Sequence, residues 1–398
     1  YYGGMRYTSV ASTNVSWEVA TKQDLGIDFS FFNDKLSGSI DYFHERREGI
    51  YMERKYLPWV ASLGTWTEYK DNKVNEKDIH PYANVGIVEA RGFDGNFSFR
   101  HKIDKVDLTI RGNMTYSKNE ILERDEENTI YWYKMQEGHR VNQAMGLVAL
   151  GLFKDYEEIR NWPKQFGDVM PGDIKYKDIN GDGVIDSKDG FVEQQLGGPV
   201  TPGSIKYKNL YDVDGTAVID LNDETCIGHP TIPEIMYGFN LGATWKGINL
   251  DLLFQGAAHS NALIGGTFIN PFGETHNLTI DNLDFWTPEN PDAKYPIVRP
   301  NGPVGNDVAS SSFYMLNMNY LRLKQLELGY TLPSAWLSRC HIKSAKVYVA
   351  ATNLFTLSHT RGLLDPEQDG GSTTGDNANR GWRQPQNKTI SLGMNITF

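Results

Sequence analysis

The chain has 398 residues, with 50 acidic against 39 basic side chains, and its net charge of −11 disfavours nucleic acid as a partner. Aromatic residues make up 12%, with 21 Tyr and 9 Trp, and there are 39 Gly, a profile that suits β structure with many turns. Two cysteines, Cys226 and Cys340, without a CxxC spacing, give neither a disulfide framework nor a zinc signature.

No apolar run approaches the roughly eighteen residues of a membrane helix. This excludes helical spans but not a membrane β-barrel, whose strands alternate and average out as hydrophilic. The opening residues YYGGMRYTSV are neither an initiator Met nor a signal peptide, so the sequence is expected to start in mid-domain.

Strict alternation begins at DLGIDFSFF, which places Leu25, Ile27, Phe29 and Phe31 on one face. After Asn33-Asp34, KLSGSIDYF places Leu36, Gly38, Ile40 and Tyr42 on one face, so 22–32 and 36–46 are predicted to form a hairpin. FDGNFSFRH and KVDLTIRGNMTY predict a second, over 91–101 and 105–117, with Val106, Leu108 and Ile110 alternating. MYGFNLGATW turns at Lys246-Gly247 and returns as INLDLLF, predicting strands at 234–245 and 248–257. LELGYTL, KVYVAATNLF and the terminal TISLGMNITF predict strands at 320–332, 344–355 and 387–398. Short connections at 33–34, 102–104 and 246–247 alternate with long ones, of which 118–233 is the longest. Structureless loops of that size argue against a compact soluble domain. In an outer-membrane barrel they are expected, because short turns face the periplasm and long loops face outside. The parity holds throughout and puts every short turn at the end of Phe398. Along each strand Leu, Ile, Val, Phe and Tyr share one face. Ser, Asp, Asn, Thr, Lys and Gly share the other, as a watery lumen requires. The sequence therefore predicts an all-β transmembrane antiparallel barrel with long extracellular loops. A β-sandwich explains the strands but not the loop parity.

The outer loop 118–233 contains DINGDGVIDSKDG, which follows the EF-hand calcium spacing over 178–189. Asp178, Asn180 and Asp182 occupy places 1, 3 and 5, and Gly183 takes the sharp turn. Val184 offers its carbonyl at place 7, Asp186 takes place 9, and Asp189 takes place 12, where an EF-hand has Glu. Ligands on alternate residues of a tight coil give a hard cation its oxygen shell. The flanks VMPGDIKYK and GFVEQQLGGPVTPG do not read as helices, so the loop is EF-like in chemistry only. A calcium ion there would pin the loop and perform no chemistry.

The motifs PGDIKYKDINGDGVIDSKD, IPEIMYGFN, YLRLKQLELGYTLP, VYVAATNLFTLS, LLDPEQ and QPQNKTISLGMNITF occur in that order. Together they resemble the C-terminal barrel of SusC/RagA-type TonB-dependent outer-membrane transporters of Bacteroidetes. NVSWEVATKQDLGIDFSFFNDKLSGSIDYFHERREGIY and GLFKDYEEI fit as well, and the likeness runs from about residue 14 to the end. The resemblance implies a 22-stranded barrel of which 1–398 is the C-terminal part. It also implies an N-terminal plug and TonB box upstream of this chain, and a SusD-like surface lipoprotein closing over the barrel. The expected activity is import of an oligosaccharide or peptide nutrient through the outer-membrane lipid. One feature departs from the family: PGSIKYKNLYDVDGTAVIDLNDE, over 202–224, is a degraded echo of the calcium unit. It keeps Asp212, Asp214, Asp220 and Asp223 but loses the counterpart of Asn180, and it reads as a solvated turn.

Neither HExxH nor GxSxG occurs, and no GxGxxG opens a helix. HERRE at 44–48 reads as a charged rim at a strand end. The acidic loops read as solvated, so transport is expected and not catalysis. Trp59, Trp66, Tyr131, Trp132, Tyr133, Trp162, Trp286 and Trp382 could stack on sugar or peptide, although packing or an aromatic girdle accounts for any one of them. Cys226 and Cys340 fall on opposite sides of the wall and are expected to stay unbonded. The competing reading is a secreted soluble calcium-binding β-protein that binds glycans.

Overall fold

The structure is a computed structural model. It describes residues 12, 14–54, 65–70, 73–78, 80–126, 135–161, 174–176, 205–208, 225–265, 268–269, 278, 280–298, 310–338, 342–368 and 384–398. Nine strands in chain order form one antiparallel sheet. They are β1 (Val19–Phe31), β2 (Leu36–Glu53), β3 (Tyr82–Ile103), β4 (Val106–Glu123), β5 (Ile235–Trp245), β6 (Ile248–Ala258), β7 (Tyr320–Thr331), β8 (Ser344–Thr352) and β9 (Thr389–Thr397). A short strand at Thr356–Ser358 prolongs the β8 side of β7. All nine predicted strands form, and no helix among the described residues is long and apolar enough to cross a membrane.

The turns are tight because the sequence supplies left-handed backbone where each needs it. Lys246 (φ 48°) and Gly247 (φ 90°) close β5–β6 in two residues, with Trp245 opposite Ile248. Asp104 (φ 53°) serves β3–β4, and Phe32, Asn33 and Asp34 all have positive φ between β1 and β2. The register places these three turns, the β7–β8 connection and the last paired residue, Thr397, along one edge of the sheet. The long connections leave from the opposite edge, as the parity predicts.

Cross-strand register gives the sheet two chemically different faces. One row passes through all nine strands as Phe31, Leu36, Phe99, Ile110, Leu241, Leu252, Leu326, Ala351 and Ile390. The adjacent row, on the other face, runs Ser30, Ser37, Ser98, Arg111, Asn240, Leu253, Gln325, Thr352 and Thr389. A one-residue slip in any strand would exchange the faces, so the pattern fixes the register. On β4 the apolar stripe lasts from Val106 to Tyr116, which at about 3.4 Å per residue and a tilt near 45° rises about 24 Å. That matches the apolar band of an outer-membrane barrel.

Strands β2, β3 and β4 are longer than the alternation predicts, by residues 47–53, 82–90 and 118–123. Their ends lie above the band, where residues on the apolar face give way to Gln23, His44, Arg91 and Lys118. Ion pairs replace apolar contact there: His44 Nε2 lies 3.2 Å from Glu89, and Lys118 Nζ lies 3.7 Å from Glu120. HERRE (44–48) therefore sits within β2 and not at a strand end, although it does form the charged rim.

The buried core is not on the sheet. Leu147, Leu152, Phe153, Ala262, Leu263, Ile264, Trp286, Tyr314, Leu316, Met318 and Leu364 pack together from several connections. The apolar face of the sheet is meanwhile open, with Leu25, Ile27, Phe93, Leu328 and Leu392 exposed. A protein folded for water arranges these the other way round.

Candidate functional site

The polar face is built for water. Asn96 Nδ2 donates to Ser39 Oγ at 2.7 Å and Asn240 Nδ2 donates to Asp251 Oδ1 at 2.9 Å. Lys346 pairs with Glu327 across β7 and β8. Above this face lies a cleft of about 740 Å³, lined by Asn113, Thr115, Gln255, Tyr320, Glu367 and Gln386 among others. It mixes amide, hydroxyl and carboxylate groups with the apolar side chains of Ile232, Met236, Leu253 and Met318.

One wall of the cleft is a buried ion cluster that the motif reading did not anticipate. Arg322, on β7, is 3% exposed, and all its polar edges are used. Its Nη2 lies 2.6 Å from Asp365 Oδ1, its Nη1 lies 3.0 Å from Glu367 Oε2, and its Nε donates to Thr356 Oγ1 at 2.8 Å. Lys324, the extra residue where the β6–β7 register shifts, reaches the same Glu367 oxygen at 2.6 Å. Gln386 donates its backbone N–H to Asp365 Oδ2 and its Nε2 to Glu367 Oε2. Two cations face two anions, so burial leaves no net charge. Burial alone would push the Asp365 carboxyl up, but the backbone N–H groups of Gln386 and Glu367, with the Arg322 guanidinium, hold it below its ordinary value. The motifs YLRLK and LLDPEQ thus meet in space, and the cluster ties the connection after β8 to the strand wall.

Asp178, Asn180, Asp182, Val184, Asp186 and Asp189 of the expected calcium site lie outside the described residues, as do the echo's acidic positions. The strands that open the two units are described. Ile174–Tyr176 and Ile205–Lys208 pair with opposite edges of Val148–Leu152, both antiparallel. Leu152 faces both Ile174 and Ile205, while Ala149 faces both Tyr176 and Tyr207. The repeat in the sequence is therefore a repeat in the fold, around one shared strand.

Of the aromatic candidates, Trp286 is 5% exposed within the loop core and packs there; it is not presented to a ligand. Trp66 lies on the strand Thr65–Lys70. Trp59, Tyr131, Trp132, Tyr133, Trp162 and Trp382 lie outside the described residues. Cys226 is a free thiol whose Sγ contacts Met145 Sδ at 3.3 Å, and burial pushes its pKa up to about 11. Cys340 lies outside the described residues. One group among the described residues has the composition of a transition-metal site: His229, Glu234 and His259. The sequence held no spacing that predicts it.

No family model matches the chain. Among curated proteins it is similar to TonB-dependent receptor P3 of Formosa agariphila, at 25% identity over 406 residues, covering 99% of this chain and 36% of that protein. TonB-dependent receptor SusC of Bacteroides thetaiotaomicron is 21% identical over 409 residues, covering 100% and 34%. The chain thus spans about a third of the length of the curated relatives it matches. Among solved structures, the RagAB peptide transporter superposes with a TM-score of 0.60 at 21% identity, over 96% of this chain and 36% of that one. The RagAB peptide importer in its closed-closed state gives 0.61 at 20% identity, over 96% and 36%. In sequence and in fold alike, this chain is similar to part of a TonB-dependent transporter barrel of the SusC/RagA type.

Proposed function

We propose that the chain is a section of the wall of an outer-membrane importer, energised through TonB by a segment outside it. The partner is a SusD-like surface lipoprotein, and the cargo is an oligosaccharide or a peptide. The observation that carries this reading is the paired rows of the sheet, apolar on one face through nine strands and polar on the other in every strand but β6, where Leu253 stands. Lipid covers the first face and cargo passes along the second, with the short turns at the periplasm and the long connections outside. A secreted soluble protein would have to cover the first face, and the described residues provide nothing that does.

The test is uptake in cells lacking the gene, with labelled oligosaccharides and labelled peptides offered separately. One class should fail to enter, and wild-type uptake of that class should stop when TonB is removed. Unchanged uptake of both, with the protein in the soluble fraction, would refute the importer.

The loop 178–189 in this reading binds calcium through Asp178, Asn180, Asp182, Asp186 and Asp189 and the Val184 carbonyl. Carboxylates crowded on one coil repel each other unless a cation joins them. The substitution Asp182→Ala should remove one bound calcium from the full-length protein, measured by equilibrium dialysis, while the barrel still assembles. Undiminished calcium would place the ion elsewhere.

A further inference from the structure

We propose that His229, Glu234 and His259 bind a divalent transition-metal ion of the zinc type at the loop end of the β5–β6 hairpin. Glu234 immediately precedes β5 and His259 immediately follows β6. Ile235 and Ala258 are the last hairpin pair, so Glu234 and His259 face each other one step beyond it, and the Glu234 N–H donates to the His259 carbonyl at 3.4 Å. His229 enters from the connection before β5. The three donor atoms all lie within 4.8 Å of one another. Nδ1 of His259 is 3.3 Å and Nδ1 of His229 is 3.9 Å from the same oxygen, Glu234 Oε2. A tetrahedral ion with bonds of about 2.0–2.1 Å holds its ligand atoms about 3.4 Å apart, so the group needs only small movement to close on one.

Three further features favour this geometry. Glu234 is 5% exposed, and its other oxygen is taken by Arg140 Nε at 2.7 Å. Arg140 thereby fixes the carboxylate with Oε2 turned towards the imidazoles, as an outer-shell partner does for a metal ligand. The two imidazoles stack at 4.7 Å and 9°, and their side chains are about half exposed, so each ring can turn about its terminal torsion. His259 has φ +55°, a backbone position where Gly is the easy residue and a side chain costs free energy. Two imidazole nitrogens with one carboxylate oxygen is a zinc-type donor set, unlike the all-oxygen shell of calcium. A fourth position stays open to water. The bound ion would clamp the connection before β5 to the one after β6, fixing the bases of two long loops.

The full-length protein in detergent, stripped with chelator and held in excess calcium, should be titrated with zinc and, separately, with cobalt(II). Wild type should bind one more equivalent of zinc than the His259→Gly variant. Cobalt should give the visible absorption of a tetrahedral site in wild type and lose it in both His259→Gly and His229→Asn. The glycine variant relaxes a left-handed backbone position, so its loss of metal is not a loss of fold, and the heat-sensitive migration of the intact barrel on a gel checks this. Equal zinc stoichiometry in wild type and both variants, or no tetrahedral cobalt spectrum in wild type, would overturn the site. Either result would make the group a hydrogen-bonded cluster of His259 on Glu234.

Discussion

Arg322 shows what a motif reading sees and what it misses. YLRLK and LLDPEQ both stand out in the sequence, yet only the fold brings Arg322 to Asp365, 43 positions away. The His229, Glu234 and His259 group is harder still to read. Glu234 and His259 are 25 positions apart and Arg140 is 94 from Glu234, so hairpin register and loop packing assemble the group without a linear spacing. Replacing Arg322 with Met would leave the buried Asp365 and Glu367 with Lys324 as the one cation of the cluster. Removing one partner of a buried pair costs about 3–5 kcal/mol. Hydrogen exchange of residues 360–368 in the full-length protein should rise accordingly, and Arg322→Lys should lose less because it keeps the charge. Unchanged exchange in the Met variant would show that the cluster does not hold the loop. The pH dependence has a definite sign. Asp365 is held below its ordinary value, so its contribution is complete above the unfolded Asp value of about 4. It is lost as pH falls through the lower folded value, and the opening free energy of 360–368, from exchange corrected for its intrinsic pH dependence, should be flat from neutral down to that region.

At the scale of strands, apolar alternation was legible wherever one face of the sheet is apolar and the other polar. It located all nine strands and the turns 33–34, 102–104 and 246–247. It stopped at the edge of the apolar band, because β2, β3 and β4 continue there on ion pairs that carry no hydrophobic period. Packing of rings onto glycines was also invisible in one dimension. Phe97 lies over Gly112, and Tyr237 over Gly256, each directly across the ladder, where a Cβ would overlap the ring. The two faces predict opposite tolerance at neighbouring positions on β9. Leu392 is 78% exposed on the apolar face, while Ser391 lies on the polar one. Leu392→Arg should cost up to about 2–4 kcal/mol, depending on its depth in the bilayer. Ser391→Arg should be nearly neutral. Denaturant titration of the full-length barrel in lipid, followed by its gel mobility, distinguishes them. Equal effects would mean that the faces are wrongly assigned.

The sheet as a whole has a further requirement. β1 and β9 are the ends of the strand order, and among the described residues each has one unpaired edge. In lipid an unpaired backbone group costs several kcal/mol, since no water can satisfy it. An edge of β9, nine residues long, cannot be left so. In water the same sheet fares no better, because its exposed apolar face and open edges invite pairing with other copies. Further strands must therefore close on both edges before the wall is stable in either solvent. This agrees with a chain that matches only about a third of each relative. Residues 1–398 expressed alone should aggregate, and in detergent they should show no heat-sensitive gel migration. The full-length protein, refolded in the same detergent, should show it. A dispersed, monomeric, folded 1–398 in aqueous buffer would refute the membrane wall, because such a species would have to hide a face that all nine strands present to the outside.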